Sequence, residues 1–157
     1  MSCLSSEISS RKECGSVHRS ELIDLSKYRL EKAHDMLKAA LRDMDNGDYA
    51  SANNRAYYCI FHAMRAVLAL DQKDFKKHSA VIAQFMQSYL KTDILPREHG
   101  GLITNASLIR NRSDYEDFYV CSVEDTEKLM QGAQVFLADV EAYLNQQYND
   151  DQGEENE

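Results

Sequence analysis

Three short runs of this chain carry side chains able to hold an anion or move a proton. The first is Arg55, Tyr58, His62 and Arg65, spaced three and four apart. Residues at that spacing share one face of a helix, so two guanidiniums, a phenol and an imidazole form a single polar stripe. Such a stripe suits phosphate groups. A guanidinium matches phosphate oxygens as a fork, and an imidazole can be neutral or charged near neutral pH. It equally suits an ordinary role as the solvated edge of a buried helix, with both arginines paired to neighbouring acids. The second run is His78-Ser79 after Lys76-Lys77, where a helix start either captures phosphate or is simply capped. The third is Arg110-Asn111-Arg112-Ser113-Asp114-Tyr115. Arg110 and Asp114 stand four apart and can ion-pair on a helix. Arg110 and Tyr115 stand five apart, about 140° around a helix. They meet one substrate only if the helix ends between them, or if two copies of the chain each lend a residue at a twofold axis.

The stripe belongs to the run from Asp48 to Leu70. Plotted at helical pitch, Tyr49, Ala52, Ala56, Cys59, Ile60, Ala63, Val67 and Leu70 fill one sector of it. Tyr57, Phe61, Met64 and Leu68 fill a second sector alongside. A helix apolar over most of its girth needs neighbours on most sides. The run therefore predicts a central helix, wrapped by others, with one cationic edge left open.

The rest of the chain supplies the wrapping. Ser20 offers a helix start, and Leu30, Ala33, Leu37, Ala40 and Met44 recur at helical spacing up to Asn46-Gly47, which suits a helix end. Asp48 follows as a cap, so the first two helices form an antiparallel hairpin. The charged run Asp71–Lys77 is a connector. Val81, Ile82, Phe85, Met86 and Tyr89 mark a third helix from His78. After a break at Thr92–Leu95, Pro96 opens the next, which firms up through Leu102, Ala106, Leu108 and Ile109. Ser122 with Asp125 resembles a capping pair for the last helix, whose seam is Leu129, Ala133, Phe136, Val140 and Tyr143. The expected fold is all-α: an antiparallel up-and-down bundle of four long helices plus a shorter one. Residues 1–19 read as a flexible leader, 20–148 as the bundle, and 149–157 as a disordered acidic tail.

Composition agrees. The chain has 157 residues, 43% hydrophobic and 28% charged, with one proline and six glycines. Few breakers favour helix. The net charge of −8 argues against broad, non-specific binding to nucleic acid. Five of the acids lie after Tyr148, and without them the remainder carries −3, so a local basic patch is compatible with the total. Four cysteines, Cys3, Cys14, Cys59 and Cys121, show no paired spacing and read as reduced thiols. No metal-ligand pattern occurs, and no cofactor is expected. Neither a signal peptide nor a membrane span is apparent, which predicts a cytoplasmic protein without a membrane partner.

Taken together, Asn54-Arg55-Ala56-Tyr57-Tyr58, Phe61-His62, Arg65-Ala66, Lys77-His78-Ser79 and Arg110-Asn111-Arg112-Ser113-Asp114-Tyr115 resemble the ordered signatures of a small prokaryotic HEPN domain. Ser113 stands where that family usually has alanine. The resemblance covers about residues 20–148. It implies a homodimer and a minimal nucleotidyltransferase-like partner, as in toxin–antitoxin pairs, with RNA or a nucleotide as ligand. Catalytic members use an Arg followed four to six residues later by His as a metal-independent ribonuclease site across the dimer. Arg110 and Asn111 match the start of that motif, while Tyr115 takes the place of the His. A phenol of ordinary pKa near 10 is a poor base at neutral pH. The leading expectation is therefore a binding component with a degenerate nuclease motif, lined by Arg55, Tyr58, His62, Arg65, His78 and Arg112 beside Arg110. The alternatives are an active endoribonuclease toxin using Arg110, Asn111 and Tyr115, and a helical interaction module without ligand.

Overall fold

The computed structural model describes the backbone of residues 3–154 and the side chains of residues 18–153. Five α-helices account for it: α1 (Cys3–Asp45), α2 (Tyr49–Leu70), α3 (His78–Phe85), α4 (His99–Tyr115) and α5 (Val123–Glu154). No strand occurs among the described residues, so the all-α bundle is observed. A single π-turn, Met86–Leu90, prolongs α3.

The helix ends follow local chemistry. Gly47 adopts a φ of 75°, the left-handed conformation that closes α1. Asp48 then accepts a hydrogen bond from the Ser51 backbone N–H at 3.2 Å and opens α2. Ser122 Oγ accepts from the Asp125 N–H at 3.1 Å and opens α5. These three-residue and seven-residue connections force antiparallel neighbours.

Helix α2 is the centre. Fourteen of its 22 residues are buried, and it packs against α1, α3, α4 and α5. Its Ile60, Met64, Val67 and Leu68 meet Leu129, Phe136 and Leu137 of α5 and Ile103 and Ala106 of α4 in one continuous core. Burying an aliphatic or aromatic side chain of this size contributes about 1.5–3 kcal/mol each, which is why the wrapped helix, not its propensity, carries the fold. Two polar ties fix the helices lengthwise. Ser26 Oγ donates to the Ala66 carbonyl at 2.7 Å and meets the Tyr148 hydroxyl at 2.6 Å. Arg19 donates to the Leu70 carbonyl at 2.7 Å, capping α2, and pairs with Asp151 at 2.8 Å.

Several boundaries differ from the sequence reading. Ser20 lies inside α1, which runs through it from Cys3. Helix α4 begins at His99, because Pro96 and Arg97 form a turn whose carbonyls receive the His99 and Gly100 N–H groups. The buried face of α4 is His99, Ile103, Ala106 and Ile109, while Leu108 is exposed. Helix α5 passes Tyr148 to Glu154. Apolar content stops at Tyr148, yet the ion pair from Arg19 to Asp151 gives the last turns a tertiary partner. Most side chains of the leader (1–19), with Cys3 and Cys14, and the last residues of the tail lie outside the described residues. Cys59 is buried and its thiol is pushed up to about 12 by burial, so it behaves as a small hydrophobe. No described helix is long and apolar enough to cross a membrane.

Candidate functional site

The seam between α2, the start of α3 and the end of α4 gathers the chemistry. Arg110 of α4 places Nη1 2.9 Å from Nδ1 of His78, the first residue of α3. The Tyr57 hydroxyl of α2 lies 2.9 Å from the same Nδ1 and 3.5 Å from Arg110 Nη1. An arginine can only donate. Nδ1 of His78 is therefore the acceptor, which makes the ring neutral with its proton on Nε2. Burial and then the charges of Arg110 and Arg65 lower the pKa of His78, favouring that neutral form. Burial raises the pKa of Tyr57 against the opposing pull of Arg110, so its hydroxyl stays a donor.

Aromatic rings build the walls. Phe61 stacks on His78 with centroids 4.0 Å apart. The Arg110 guanidinium lies 4.9 Å from the Tyr57 ring centre and 5.4 Å from that of Tyr58, within cation–π range. Tyr58 meets His78 edge-on at 6.1 Å. The rings explain the local sequence: positions 57, 58 and 61 of one helix put two phenols and a phenyl on adjoining faces, where α3 begins across from them.

Two openings share His78 as a wall. One is a groove of about 580 Å³ between α3 and α4, whose lining includes Tyr57, Ile82, Met86, Arg110 and Asn111. The other is a cleft of about 380 Å³ lined by Phe61, Arg65, Asp74, Phe75, Lys76 and His78. His62 and Arg65 stand beside the cleft. The pKa of His62 is held down to about 4 by burial, and further by Lys32, Arg65, Arg29 and His78. His62 is thus neutral at neutral pH, not a cation.

The residues singled out in the sequence divide into two groups. Tyr58, His62, Arg65, His78, Arg110 and Asn111 lie around this seam. Arg55 does not: it pairs with Asp43 of α1 at 2.6 Å, the ordinary role weighed for it. Arg112 instead pairs with Glu116 at 3.2 Å and lies 4.3 Å over the Tyr119 ring. Tyr115 is 84% exposed at the last position of α4. The Arg110–Asp114 pair exists, but at 3.7 Å it is long. Lys77 takes the cap position of α3 without a side-chain bond, so His78 and Ser79 cap nothing there. Tyr57 is part of the core, and its hydroxyl also belongs to the site. Its hydroxyl was the available clue, since a buried Tyr needs a polar partner where a Phe does not. Among the described residues no group of three or more His, Cys, Asp or Glu is arranged to hold a metal.

Comparison with known proteins follows the same outline. The family model described as HEPN domain matches residues 26–143, a span holding every residue of the seam. A Methanocaldococcus jannaschii protein named "Putative toxin MJ0142" is 30% identical over 115 residues, covering 73% of this chain and 78% of that one. "Putative toxin MJ0605" from the same organism is 29% identical over 117 residues, covering 74% and 87%. A Thermotoga maritima protein named "UPF0332 protein" is also 29% identical over 117 residues, covering 74% and 89%.

Proposed function

This chain belongs to the HEPN domain family, and we propose that it is the RNA- or nucleotide-binding component of a toxin–antitoxin-type pair, working as a homodimer beside a nucleotidyltransferase-like partner. The observation that carries the binding reading is the Arg110–His78 contact at 2.9 Å. A guanidinium and an imidazole Nε2–H are both donors, and between them they suit a phosphate. Tyr58, half-buried beside Arg110, adds an aromatic face at the same place. The same contact argues against proton shuttling. The lone pair on Nδ1 already accepts from Arg110, so His78 takes up a proton there only by breaking that contact. Tyr115 has an exposed side chain and no bond to Arg110.

The names of the two Methanocaldococcus jannaschii relatives favour the toxin side of such a pair. They also sustain a second reading, a ribonuclease in which Arg110 stabilises the charge on phosphorus during attack. Apolar side chains left open on and after α4, Leu108, Phe118 and Val120, support a partner or dimer face there.

One experiment separates the readings. Pure protein and its Arg110→Ala, His62→Ala double variant are mixed with labelled single-stranded RNA in chelator. The binding reading expects a complex that the double variant loses, with the RNA intact. Cleavage that disappears with Arg110→Ala selects the ribonuclease instead. Unchanged complexes of the double variant with both RNA and transferase refute the binding proposal.

A further inference from the structure

On the other side of His78, a carboxylate bridges two guanidiniums. Asp74, on the connector between α2 and α3, receives Arg29 Nη2 at 3.1 Å on one oxygen and Arg65 Nη2 at 3.0 Å on the other. The Arg29 side chain is 8% exposed, whereas that of Asp74 is 60% exposed. A buried guanidinium is thus neutralised by an acid that itself stands at the surface, on a short loop beside an open cleft of about 380 Å³.

The charges do not balance locally. Lys32, Arg65 and Arg29 all press on His62, and the acid bonded to both guanidiniums is Asp74. Unmet hydrogen-bonding capacity also remains. Arg65 Nε and His62 Nδ1 are buried without a hydrogen-bond partner, and buried polar atoms are normally satisfied. A carboxylate offers two oxygens in one plane; a phosphodiester, also singly charged, offers its two free oxygens on a tetrahedral centre, and a strand brings a second such group beside it. Lys76 also lines the cleft.

We infer that Arg29 and Arg65 form a second phosphate site, held in the free protein by the carboxylate of Asp74, which an incoming RNA phosphate displaces. This rests on the RNA reading above and narrows it. His78 lines both the α3–α4 groove and this cleft, so one phosphate at Arg110 and the next at Arg65 bracket it. The ligand class is then an oligonucleotide strand, with the half-buried Phe75 at hand for stacking, rather than a mononucleotide. Asp74 acts as an internal competitor that only a strand with two phosphates overcomes.

The test is Asp74→Asn, with Asp74→Ser as a second variant in case the first folds poorly by circular dichroism. Anisotropy of a labelled single-stranded RNA ten-mer is read against salt. Both variants are expected to bind on the order of tenfold tighter than the native protein, with a salt slope steeper by about one. Adding Arg65→Gln removes the gain. Equal or weaker RNA binding by the variants overturns the inference while leaving the RNA reading intact. If neither native protein nor variants bind RNA, the function proposed above fails, and thermal melting with inorganic pyrophosphate decides alone. A larger pyrophosphate-induced rise in melting temperature for Asp74→Asn upholds the second site, and an equal rise overturns it.

Discussion

Arg110 and His78, separated by 32 residues in sequence, form a donor–acceptor pair at 2.9 Å that fixes the imidazole as neutral. The pair lies within one copy of the chain. In the resemblance drawn from sequence, the arginine's partner is a histidine four to six residues downstream, across a dimer. Here the imidazole beside Arg110 comes from the start of α3. The two arrangements differ chemically, because an acceptor committed to Arg110 is not free to take up a proton.

Replacing His78 by Ala removes the acceptor of Arg110 and the Phe61 stack together. Stability is expected to fall by about 1–2 kcal/mol, and affinity for single-stranded RNA by on the order of tenfold. Urea unfolding and fluorescence anisotropy measure the two losses separately.

Tyr57→Phe keeps the ring between α2 and α4 and deletes only the hydroxyl that bonds His78. The cost is about 1 kcal/mol, read as a lower urea midpoint at unchanged slope. A loss several times larger means the phenol does more than complete this network.

His62 gives stability a pH signature. Its folded pKa is about 4, against about 6.5 in an unfolded chain. Between those values the unfolded chain binds the extra proton, so stability is full above about pH 6.5 and is lost as pH falls towards 4. The ring is only partly buried, and after solvent screening the loss is about 1 kcal/mol. Carboxylates titrate near the same range, so the difference between native protein and His62→Gln isolates it. The variant is expected to show the shallower fall in melting temperature from pH 7 to pH 4.5.

The loop after α4 leaves Phe118 96% and Val120 86% exposed. Light scattering is expected to give twice the 18.0 kDa of the chain. Phe118→Asp, which touches no described core residue, is expected to shift the mass towards one chain without lowering the melting temperature. A native protein that is monomeric at high concentration removes the dimer.

The fold was legible because its signals are periodic. The apolar sectors of α2, Gly47 and Asp48 at its start, and Ser122 before α5 act locally, and a local rule reads them. The site was only partly legible. His78 and Arg110 stood out by residue type, but their contact depends on how α3 and α4 dock on α2, which no spacing encodes. Tyr57 was hidden because a phenol within an apolar sector reads as core. Arg55 was misplaced because its partner Asp43 lies across the hairpin turn. Arg29 and Asp74 were invisible for the same reason, since α1 and the connector meet only in three dimensions.

The most direct test of the proposed phosphate recognition by Arg110 and His78 is nitrogen NMR of the protein labelled at histidine, recorded before and after adding a single-stranded RNA oligonucleotide. The account predicts a neutral His78 with its proton on Nε2 and its lone pair on Nδ1, whose signals shift on RNA addition in the native protein and not in Arg110→Ala. RNA that binds while the His78 ring signals stay where they were would contradict it.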